Sequence, residues 1–94
     1  MHDHLPGGEI LRDGLRDLGE GTPSVAAMLV LIARPRLARH GIQVPTSAAT
    51  PVLPEHELYR LLAAEHGPEA YRHYRSLLRR LVSLENALDG LAAA

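Results

Sequence analysis

The 94-residue sequence contains no cysteine, no phenylalanine, no tryptophan and no lysine. Without cysteine there can be no disulfide, no thiolate metal site and no thiol nucleophile. The only rings besides histidine are Tyr59, Tyr71 and Tyr74. The chain therefore lacks the basic–aromatic alternation of RNA-binding modules. It also lacks an excess of one charge: ten basic against 11 acidic residues leave a net charge of −1, so the chain as a whole is no polyanion binder. All ten basic residues are arginine, beside 13 alanines and 17 leucines. That pattern reads as base composition of the coding sequence rather than a demand for guanidinium chemistry. Long hydrophobic runs are missing too. The longest, Val25 to Ala33, would cover about 13 Å as a helix, against the ~30 Å of a bilayer core. The N-terminal residues show neither the basic nor the apolar region of a secretory signal. The expectation is a cytoplasmic protein without a membrane role.

What is present suffices for one core. Hydrophobic residues make up 46% and charged residues 22%, which excludes wholesale disorder. The length allows one domain, 1–94, with 1–7 as a flexible tail. Proline and glycine divide the rest into four helical segments and one loop. Segment A, about Gly8 to Gly19, places Ile10, Leu11, Leu15 and Leu18 at helical spacings. Gly14 lies on that apolar side, where it permits close helix contact. Segment B opens with Thr22-Pro23-Ser24, read as an N-cap followed by proline at the first helical position. Val25 through Ala33 is apolar all round and predicts a central buried helix. Pro35 predicts a kink or break near Ala33 or Arg34, then a short turn to His40.

The loop runs from Ile42 to Leu53, and its apolar ends, Ile42 and Val44 and then Val52 and Leu53, are expected to pack down. Segment C starts at Pro54 and closes at His66-Gly67, with Leu58, Leu61 and Leu62 inside. Segment D starts at Pro68-Glu69 and reaches about Leu91. Its Ala70, Tyr74, Leu77, Leu81, Leu84, Leu88 and Leu91 follow a heptad. Tyr71, Leu78 and Val82 form a second stripe at the flank. The fold expected is all-α: a compact bundle of four helices, with a Pro-rich loop between the second and third and a long C-terminal helix.

Chemistry-bearing patterns are sparse. Arg72, Arg75 and Arg79 share one face of segment D with Arg80 to its side, a candidate contact for nucleic acid or another anion. Arg34, Arg36 and Arg39 form a second group. Six histidines include His73, four residues after Glu69 and so able to face the same metal. No helix carries the Glu-x-x-His spacing of di-iron bundles, and no metal or cofactor is assigned. Ser24, Ser47, Ser76 and Ser83 stand outside any nucleophile-elbow context, and no catalytic residue is assigned. A chain of this size has difficulty enclosing both segment B and a half-apolar helix of about 24 residues. The reading is therefore a small non-catalytic interaction or assembly module, a homodimer or the partner of another helical protein. Its interface is placed at Tyr71, Tyr74, Leu77, Leu81, Leu84 and Leu88 of the C-terminal helix. Nucleic-acid binding through the arginines is the alternative, and a small-ligand or metal role between helices the second.

Overall fold

In the computed structural model, which describes residues 4–93, the chain is all-helical. Helix α1 spans Gly8–Gly19, α2 Val25–Arg39, α3 Pro54–His66 and α4 Ala70–Ala93. A 3-10 turn, Gly67–Glu69, joins α3 to α4 without a break in helical structure. Counted as uninterrupted runs there are thus three helices, not the expected four, and the third is folded in two. A straight helix would hold Tyr59 and Tyr74 about 22 Å apart. Their ring centroids are instead 5.6 Å apart, edge to face, so α4 turns back along α3. Gly67 permits the corner with φ +56°, a conformation that L side chains rarely adopt.

Local signals account for most boundaries. Pro54 sits at the first position of α3, with Glu55 and Glu57 in a first turn that favours acids. Segment B begins two residues later than its proline suggested. The cap is Ser24, whose Oγ accepts a hydrogen bond from the Ala27 amide at 3.1 Å. That hydroxyl also donates to Asp17 Oδ2 at 2.6 Å, so one serine both starts α2 and ties it to the end of α1. The break expected near Pro35 does not occur; α2 runs through to Arg39. Proline in a helix interior costs about 3 kcal/mol. Here Pro35 lies on the exposed side, and the turn beyond it carries Leu37, which is fully buried.

Helix α2 is the centre, and α1, α3 and α4 all pack on it. Its Ala27, Met28, Leu29, Val30, Ala33 and Leu37 are nearly inaccessible. Gly14 lets α1 approach closely, since an added Cβ would stand 2.3 Å from Val30 Cγ2 and 2.5 Å from the Ala26 carbonyl oxygen. Leu11 and Ile10 fill the core beside it. At the other side α4 contributes Leu81, Leu84 and Leu88. The radius of gyration, 13.0 Å, is near the ~12 Å expected of a compact chain this long. One chain therefore encloses both α2 and the inner face of α4, which the argument from chain length had not anticipated.

The N-terminal segment is less free than expected. Leu5 packs against the core, and its carbonyl accepts from the Gly8 amide at 2.9 Å; residues 1–3 of the expected tail lie outside the described residues. In the loop, Ile42 and Val44 pack down but Val52 and Leu53 do not. Val52 is 93% exposed and Leu53 53%. Among the described residues no helix is long and apolar enough to cross a membrane.

Candidate functional site

Helix α4 is where the residues singled out from the sequence gather, and the structure divides them between its two faces. Leu81, Leu84 and Leu88 are buried in the chain's own core. Within the single chain their side chains are taken up by this core. Tyr74 and Leu77 are half-buried against the same core, and Tyr74 packs on Tyr59 at an interplanar angle of 65°. Of the six residues expected at an interface, Tyr71 alone is largely exposed, at 58%.

The four arginines also separate. Arg80 forms an ion pair with Glu9 and so fastens α4 to α1. Arg72 pairs with Glu69, three residues before it, at 3.1 Å. Arg75 lies over the Tyr71 ring, 5.9 Å from its centroid, in the range of a cation–π contact. Among the described residues no carboxylate lies within ion-pair reach of Arg75 or Arg79. Two shallow depressions adjoin along this face and share these two arginines. One is formed with Tyr71, Arg72 and Ser76, the other with Leu78, Val82 and Ser83. Positions 71, 75, 78, 79 and 82 recur at helical spacings, so one face carries two cations without a carboxylate among the described residues, a half-exposed valine and a tyrosine.

A second polar cluster was missed in the sequence. At the far ends of α2 and α4, Arg36 pairs with Asp89 and lies 3.6 Å from Glu85 Oε1. His40 Nε2 donates to Asp89 Oδ1 at 2.8 Å. The signal was available: Arg36 and His40 are four apart, as are Glu85 and Asp89, so two helices that pack present complementary i, i+4 pairs. Burial pushes the Glu85 carboxyl above its ordinary value, against the pull of Arg36. Hydrogen bonds from His40 and Arg36 hold Asp89 below its ordinary value. This cluster locks α2 to α4 and takes Arg36 out of the second arginine group; Arg34 and Arg39 remain exposed.

Where α3 meets α4, the His66 and His73 rings stack with centroids 3.7 Å apart and planes 17° from parallel. Glu69, the partner considered for His73 at a metal, is engaged by Arg72. Among the described residues no three His, Asp or Glu side chains gather to hold a metal ion. Ser24 is occupied as a cap, and Ser76 and Ser83 are exposed on α4. Compared with protein-family models, with curated proteins and with solved structures, the chain matches none.

Proposed function

We propose that the protein is a small non-catalytic helical interaction module that receives an acidic amphipathic helix of a partner protein on the outer face of α4. The observation that carries this reading is the meeting of Arg75 and Arg79 with the exposed Tyr71 and Val82, and with the edge of the half-buried Leu78, on one face. Apolar groups left open beside charges supply area, and guanidinium groups without a carboxylate favour a partner that brings one. A helix laid on another helix repeats its contacts at three and four residues, the spacing this face already has.

Two other occupants are less well supported. A second copy on this face would bring two more arginines to the same seam, and gathering like charges at an interface is unfavourable. Self-association through the inner stripe would require Leu81, Leu84 and Leu88 to leave the core. For nucleic acid, Arg72 and Arg80 are already paired. Two remaining arginines give a salt slope of only about −1.8 on duplex DNA.

The test is calorimetric titration with a synthetic helical peptide carrying leucines on one face and glutamates along its edges. Binding in the micromolar range is expected, with the charge reversals Arg75→Glu and Arg79→Glu together abolishing it and Val82→Ser weakening it. The melting temperature of each variant, followed by circular dichroism, should stay within a few degrees of the parent. If light scattering instead finds a dimer that the double reversal dissociates, the partner is a second copy. If the peptide fails and duplex DNA binds with a slope steeper than about −3, the nucleic-acid reading replaces this one.

A further inference from the structure

We infer that the protein has a second binding site, for a small, neutral, single-ring molecule, between the α1–α2 turn and the loop at residues 42–53. A cavity of about 170 Å³ opens there. Its floor is Leu18, Met28 and Leu31, of which Met28 and Leu31 belong to the buried core. Pro45 and Pro51 stand in the opposite wall with Ala49. The site is independent of the α4 face, with which it shares no residue.

Three observations say what such a site takes. The first is size. An apolar cavity of about 150 Å³ holds one benzene ring, so this one accommodates a ring with a short substituent. The second is charge. Among the described residues no Arg, His, Asp or Glu lines the cavity, so a charged ligand would give up hydration with no opposite charge in return. The third is the rim. Thr22 and Thr46 stand at it, and neither side chain makes a hydrogen bond within the described residues. They can accept or donate one bond to a hydroxyl or carbonyl on the ligand.

The loop wall is built rather than slack. Ser47 and Thr50 close a turn in which the Thr50 amide donates to the Ser47 carbonyl at 3.0 Å. The Ser47 amide donates to Thr50 Oγ1 at 2.8 Å, and the Ala49 amide to Ser47 Oγ at 3.2 Å. Prolines on both sides of this turn restrict it further. A preformed apolar cleft with a few polar groups at its mouth is the usual form of a small-molecule site. Met28 in the floor adds a flexible, polarisable surface that adapts to ring shape.

The probe is benzyl alcohol, followed by NMR of the methyl groups. Saturable shifts are expected at Leu18, Met28 and Leu31, with a Kd on the order of 1 mM. Intermolecular NOEs should join the probe ring to the Met28 and Leu31 methyls. Ala49→Phe puts a ring at the wall from an exposed position and should weaken binding at least tenfold. Ala48→Phe, one residue away and outside the lining, should leave it unchanged. Benzoate, the same size but charged, should bind at least tenfold more weakly than the alcohol. Shifts that never saturate, NOEs to other methyls, or equal binding by the two alanine variants would overturn the site. Equal binding of benzoate would overturn the ligand class.

Discussion

Both faces of α4 carry apolar side chains, but these meet different fates. The inner face seats Leu81, Leu84 and Leu88 in the core, all with at most 3% exposure. The outer face leaves Val82 48% and Tyr71 58% exposed, beside two arginines without a carboxylate among the described residues. Burial of apolar surface is non-directional and roughly proportional to area. A leucine stripe is therefore satisfied by whichever apolar surface it meets, and here Leu81, Leu84 and Leu88 meet their own chain's core. The face left over carries charge, and charge is directional enough to choose a partner.

The sharpest way to break this comparison is one alanine on each face. Leu84→Ala removes a fully buried side chain and should cost about 2–5 kcal/mol, read as a lower urea midpoint. Val82→Ala, two residues earlier, should stay within about 0.5 kcal/mol. If the two changes cost the same, the faces are not different in kind.

The next test compares glycines. Gly14→Ala drives a methyl into Val30 and the Ala26 carbonyl and should destabilise by about 1–3 kcal/mol through overpacking, despite the gain in helix propensity. Gly90→Ala in α4 meets nothing within 4 Å and should stabilise by about 0.4–1 kcal/mol. Thermal unfolding of both variants separates a packed surface from an open one.

The smallest expected effect concerns charge. Asp89 has a folded-state pKa below its ordinary 3.8. Its contribution to stability is therefore present above pH 3.8 and lost as pH falls through the lower folded value. Asp89→Asn should be less stable than the parent at neutral pH, with the gap closing below pH 3.8. Glu85 works in the opposite sense. Its raised value means that its protonated form favours the fold, and this is lost as pH rises through that value. Arg79→Ala, an unpaired charge on the open face, should leave the unfolding midpoint unchanged at every pH. A parallel loss in Arg79→Ala and Asp89→Asn would mean that the outer face is as engaged as the inner.

Much of the fold was legible because helix signals are local. Pro54 and His66-Gly67 bracket α3, Gly8 to Gly19 delimits α1, and the apolar run from Val25 marks the central helix. Pro35 misled because proline penalises a helix by a local clash, while the burial of Leu37 beyond it is a tertiary gain. Val52 and Leu53 misled for the reverse reason: apolar character does not place a residue inside when the adjoining helix start holds it out. In the candidate site, the helical spacing of Tyr71, Arg75, Leu78, Arg79 and Val82 could be read directly. Which arginines are spent could not, since Glu9 and Arg80 are 71 positions apart.

By itself the sequence determined that the chain is helical, where most helices start and stop, and that α2 is central. Each of these follows from interactions within three or four residues or from a run with no polar face. Only the tertiary structure decided which stripe of α4 becomes core, which charges find partners, and where a cavity is left beneath a loop. These depend on distances between segments far apart in the chain, and apolar attraction, having no direction, does not encode them in advance.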